Sequence, residues 1–173
     1  MRNIKIIFYV LIIIFMSSHN SICFSNSQID DFISRYNQDA ATENRSDLYI
    51  TKKIYSNADN HYYLIIGNSS NNDFYIKVNQ DLTSLQCLFD NQYYFTEVAR
   101  YIYSGIGVEK LSGINALNYL MDNMTTSITG GIGDSPVYSQ LTNSSYMSTL
   151  IIDYGINNGY KQKWLFTVKK VNK

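Results

Sequence analysis

The chain has 173 residues, 45% of them hydrophobic and 16% charged, with 14 basic and 14 acidic side chains and 16 tyrosines. It is too apolar and too aromatic for a disordered chain, and its formal charge of zero argues against binding nucleic acid through a broad positive face. Two cysteines exclude a small disulfide-stapled scaffold.

The N-terminus carries the clearest signal. Arg2 and Lys5 form a short basic region, and residues 6–16 are eleven uninterrupted apolar or aromatic residues. A membrane span needs about 20 such residues, whereas the apolar stretch of a signal peptide needs about 7–15. Cys23 and Ser25 place small side chains where a signal peptidase requires them. The sequence therefore predicts a signal peptide over 1–25 and a single globular domain over 26–173. Cleavage after Cys23 is a close alternative; a buried helix or an uncleaved anchor is a more distant one, and an anchor would leave Cys23 able to pair with Cys87. Export to a bacterial periplasm or to the cell exterior follows, with no membrane span after cleavage. Removal of Arg2 and Lys5 leaves the domain with a net charge of −2.

Residues 27–41 form the strongest helical pattern. Ile29, Phe32, Ile33, Tyr36 and Ala40 fall on one stripe, and Ser27 with Asp30 resembles a capping box. Strand-like runs follow at 48–55, 61–67 and 73–78, separated by polar turn clusters, with a fourth within 82–89. The continuously apolar 62–66 reads as a central strand. Phe95, Val98, Ala99 and Ile102 restore the helical period over 92–104, with Gly105 as its stop. Leu117, Leu120, Met121 and Met124 mark a second helix beginning near Ser112. A glycine-rich loop then occupies 125–140. The chain ends in a hairpin turning at 157–159, whose last strand alternates Trp164, Phe166 and Val168 with Leu165, Thr167 and Lys169.

The fold class is thus α+β, in the order α-β-β-β-(β)-α-α-β-β. The sheet is expected to be mostly antiparallel, with helices packed on one face. No internal repeat is visible. Lys161, Lys163, Lys169, Lys170 and Lys173 give the last strand and its tail a charge of +5. An exposed edge strand, whose lysines oppose aggregation, is the simplest account of that run.

The inventory for chemistry is small. His61 and Cys87 are the weak candidates for a catalytic pair, the histidine raising the thiolate fraction of the cysteine. The alternative places His61 at a turn and Cys87 as a small buried hydrophobe. Gly130, Gly131, Gly133 and Asp134 form a loop suited to partner contact, without the lysine and hydroxyl of a phosphate-binding loop. Asp90, Glu97 and Asp153 are carboxylates with no informative spacing. No metal site or cofactor is expected. Tyr62, Tyr63, Tyr93, Tyr94 and Tyr101 cluster around one strand and one helix, and tyrosine supplies rigid amphipathic contact area at interfaces.

These features predict a small exported, non-enzymatic protein that binds a protein partner, as an immunity protein, inhibitor or regulatory companion does. One alternative is a secreted hydrolase or toxin using Cys87 and His61, or an acidic residue near the 129–136 loop. Another is a binder of a small apolar or sugar ligand.

Overall fold

The computed structural model describes residues 27–67, 74–90, 92–126, 137–153 and 163–171. Helix α1 (Ser27–Thr42) leads through a single 3-10 turn (Ser46–Leu48) into four strands, β1 (Ile50–Ser56), β2 (His61–Ile66), β3 (Tyr75–Asn79) and β4 (Ser84–Phe89). Helices α2 (Gln92–Gly105) and α3 (Lys110–Asp122) follow. Four more strands complete the chain: β5 (Thr125–Thr126), β6 (Val137–Thr142), β7 (Tyr146–Asp153) and β8 (Lys163–Lys170). The expected α+β class, antiparallel sheet and one-sided helices are all present.

The eight strands form one sheet in the order β1-β2-β3-β4-β8-β7-β6-β5, with every pair antiparallel. Helix followed by a four-strand meander therefore occurs twice. The two meanders join through their last strands, Leu85 opposite Val168 and Cys87 opposite Phe166. A two-fold axis through that seam would relate them, although the sequence carries no repeat. What the halves share is strand order, which many side-chain sets satisfy.

Alternation along the strands sends one set of side chains towards the helices. Leu64, Ile76, Cys87, Phe166 and Leu150 lie in one transverse row of this face and are all buried. Against them α1 sets Ile29, Phe32 and Tyr36, and α2 sets Phe95, Val98 and Ile102. Phe95 stacks on Trp164 with ring centroids 5.3 Å apart and meets Phe166 edge-on at 5.7 Å. Tyr103 reaches between the layers, and its hydroxyl donates to Ser148 Oγ at 2.7 Å. It fits because its neighbours are small: a Cβ on Gly113 would lie 2.9 Å from the Tyr103 Cβ.

Four sequence expectations need correction. First, the lysine-bearing last strand is no edge: β8 lies between β4 and β7. Apolar residues occupy both of its faces, and Lys163, Lys169 and Lys170 sit at its ends where solvent reaches them. Second, the 125–140 segment is not all loop. Residues 137–142 form β6, held by six register pairs to β7; its mixture of Ser, Gln and Thr carries little apolar alternation.

Third, the C-terminal stop of α2 is Gly107 rather than Gly105. The Val108 N–H donates to the Tyr103 carbonyl at 2.9 Å and the Gly107 N–H to that of Ser104 at 3.0 Å, with Gly107 at φ 83°. These are the two bonds of a Schellman motif, which places a left-handed residue just past the helix. Gly105 lies inside the last turn for a different reason, since a Cβ there would sit 2.5 Å from a Phe32 ring carbon. Fourth, α3 starts at Lys110, two residues before Ser112.

A register shift between Ile50 and Lys52 breaks the alternation of β1. It leaves Ile50 opposite Ile66 on the helix side and Ile54 opposite Tyr63 on the other. The proposed turn at 157–159 lies outside the described residues.

Candidate binding surface

The five clustered tyrosines divide among three environments. Tyr62 and Tyr101 belong to the core. Tyr62 faces α1, its ring 5.0 Å from that of Tyr55. Tyr101 lies 5.6 Å from Tyr36, and burial pushes its phenol up to about 12. Tyr93 and Tyr94 are exposed on the first turn of α2, with the Arg45 guanidinium 5.5 Å from the Tyr93 ring and Phe74 5.5 Å from that of Tyr94. Tyr63 alone points to the sheet face without helices. There it meets Tyr75 edge-on at 5.1 Å and donates its hydroxyl to Asp59. Adjacent strand residues must point oppositely, so Tyr62 and Tyr63 could never share a surface.

Cys87 and His61 are not brought together. Cys87 is buried on the helix side opposite Ile76, its thiol directed at the Tyr75 carbonyl at 3.2 Å. Burial drives that thiol far above its ordinary value, the reverse of what a nucleophile needs. His61 opens β2 on the other face, its Nδ1 against the Asp59 carbonyl oxygen. Gly130, Gly131, Gly133 and Asp134 lie outside the described residues. Asp90 is ion-paired to Lys163 at 2.6 Å, and Asp153 stands opposite the same lysine in the β7–β8 register. Glu97 lies on the helix side, so the three carboxylates form no shared pocket. Among the described residues, no cluster of three His, Cys, Asp or Glu could hold a metal.

The helix side carries a continuous chain of ion pairs. Arg45 joins Asp47 at 2.9 Å and Glu97 at 2.8 Å; Arg100 joins Glu97 at 3.1 Å and also Glu43; Lys110 joins Glu43 at 2.7 Å. Burial raises the Glu43 carboxyl, but Lys110, Tyr101 and Arg100 outweigh it and hold the group low. This network ties the end of α1 to α2 and α3.

Sequence reasoning missed the most distinctive surface, the open face of the sheet. Ile65 pairs with Tyr75, Leu88 with Leu165, Leu165 with Ile151 and Ile151 with Tyr138. Tyr75 and Leu88 each stand one residue beyond the paired Ile76 and Cys87, so the row is continuous across β2, β3, β4, β8, β7 and β6. Leu88 is 50% exposed, Tyr138 46% and Tyr75 36%. Ile65 is buried although it takes no part in the helix-side core. Polar residues flank the row, with Lys77, Gln86, Thr167, Thr149 and Gln140 on one side. The signal existed in the sequence as an apolar residue on the outward phase of each strand. Only strand order lines those residues up.

No protein-family model, curated protein or solved structure matches this chain.

Proposed function

We propose that this protein is exported, to a periplasm or to the cell exterior, and works there without catalysis by binding a protein partner with the open face of its sheet. The observation that carries this reading is the apolar row, which solvent reaches from Tyr75 to Tyr138. Contiguous exposed apolar patches rimmed by polar residues mark interaction sites on folded proteins. Three tyrosines on or beside the row, Tyr63, Tyr75 and Tyr138, add the residue type enriched at such sites. Export is supported by the basic start, the eleven-residue apolar run and the small residues after it.

The experiment is affinity capture with residues 26–173 in parallel with Leu88→Ser/Tyr138→Ser. The expected result is a partner retained by the native surface and lost by the double variant, with the circular dichroism of the two proteins alike. Equal capture by a folded double variant overturns the reading. Export is checked separately by fusing residues 1–26 to a reporter active only outside the cytoplasm.

A further inference from the structure

We infer that the partner presents to this face an amphipathic, carboxylate-bearing segment lying across the strands, a reading that rests on the open face being the docking surface. Two observations on that face lead there.

The first is its shape. Six adjacent strands at about 4.8 Å spacing make the row about 24 Å long. It is one side chain wide, between the Lys77–Gln140 row and a charged row containing Asp90, Lys163 and Asp153. A broad apolar partner surface would bury those polar rows as well. One helical segment of about 16 residues, at 1.5 Å per residue, lays a single apolar stripe along the row and keeps its other side in water.

The second is charge. Among the described residues four lysines rise on this face: Lys52, Lys77, Lys163 and Lys169. Lys77 is ion-paired with Asp59 at 2.8 Å and Lys163 with Asp90. Lys52, at the β1 end of the row opposite Ile65, and Lys169, opposite Met147, are exposed and make no ion pair among the described residues. Among the described acids of the face, Asp59 has Lys77 beside it while Asp90 and Asp153 share Lys163, so four lysines stand against three acids. The uncompensated charge is positive, on a domain whose net charge is −2. A second copy of this chain would set like charge against like, whereas a segment with carboxylates near its end and along its polar side complements Lys52 and Lys169.

The test uses two labelled helical peptides of about 16 residues with one leucine stripe, their polar positions filled with Glu in one and Lys in the other. Fluorescence anisotropy measures affinity and amide shifts locate the site. The Glu peptide is expected to bind about tenfold more tightly. Its amide shifts should fall on β2, β3, β4, β8, β7 and β6, and Lys52→Glu/Lys169→Glu should reverse the preference. Equal binding of both peptides along the row overturns the acidic assignment but leaves the docking face standing. Failure of the Glu peptide to bind, or shifts confined to the helices, overturns the inference. Concentration-dependent dimerisation that Leu88→Ser abolishes overturns it in favour of a second copy.

Discussion

Leu88 and Leu165 stand directly opposite each other across β4 and β8, at the seam of the two meanders and on the face without helices. One residue further along β4, Phe89 points the other way, fully buried against Phe74 and Phe95. Neighbours in sequence thus have opposite environments, and their substitutions should differ accordingly. Phe89→Ala leaves a cavity and is expected to cost about 3–5 kcal/mol, whereas Leu88→Ser, half exposed already, should stay within about 0.5 kcal/mol. Urea denaturation of both variants measures the contrast directly. Similar losses for both would mean that the sheet is covered on two faces.

Gly105 and Gly107, two positions apart in the chain, serve different ends, and alanine should separate them. Gly105→Ala drives a methyl into the Phe32 ring, an overpacking expected to cost about 1–3 kcal/mol. Gly107→Ala meets open space, its nearest atom being Arg35 Nη1 at 3.9 Å, but must adopt φ 83°. That left-handed conformation costs an L-residue about 1–2 kcal/mol. Trimming the opposing ring with Phe32→Leu should relieve the first variant, as read from its thermal midpoint relative to Phe32→Leu alone, and do nothing for the second.

Arg100 joins Glu43 to Glu97, with all three side chains about one-fifth to one-quarter exposed. Arg100→Ala leaves two carboxylates facing each other with only Arg45 and Lys110 to offset them. The expected loss is about 1–3 kcal/mol, below that for a fully buried pair because water still reaches the groups. Repeating the denaturation at high salt should narrow the gap between variant and native protein, since screening weakens the exposed repulsion. A loss that is the same at both salt concentrations would assign it to packing of the arginine stem.

Tyr103 makes stability pH-dependent on the alkaline side. Burial pushes its phenol up to about 12, against which the Ser148 hydrogen bond acts only in part. Below the ordinary tyrosine value, near 10, both folded and unfolded chains hold the proton and no pH dependence arises. Between about 10 and 12 only the unfolded chain releases it, so stability falls as pH rises through that window. Tyr103→Phe should lower stability at neutral pH by about 1 kcal/mol, for the lost hydrogen bond, and flatten the alkaline decline. Tyrosinate absorbance followed alongside circular dichroism tests this; full ionisation of the native protein before unfolding would refute it.

How much was legible in the chain differs by element. The stripe from Ile29 to Ala40 and that from Phe95 to Ile102 give α1 and α2 directly, because each helix buries one face and leaves the period intact. Trp164, Phe166 and Val168 likewise show which phase of β8 is buried. β6 was hidden because its inward Ser139 and outward Gln140 lack the apolar contrast that marks a strand; neighbours in the sheet hold it. The displaced stop of α2 was hidden because two glycines lie together, and only Phe32, some seventy residues earlier, distinguishes their roles.

The sequence by itself determined what local periodicity can encode: the α+β class, the buried stripes of α1 and α2, the phase of β8, and the opposition of Tyr62 and Tyr63. Tertiary structure alone decided which strands are neighbours. By placing β8 between β4 and β7 it turned an expected lysine-bearing edge into the centre of the sheet, parted Cys87 from His61, and aligned Ile65, Tyr75, Leu88, Leu165, Ile151 and Tyr138 into one row. The physical reason is the range of each interaction. Alternation and helical stripes are set by residues a few positions apart, whereas a row across strands is set by backbone pairing between segments many tens of residues distant, which no local pattern specifies.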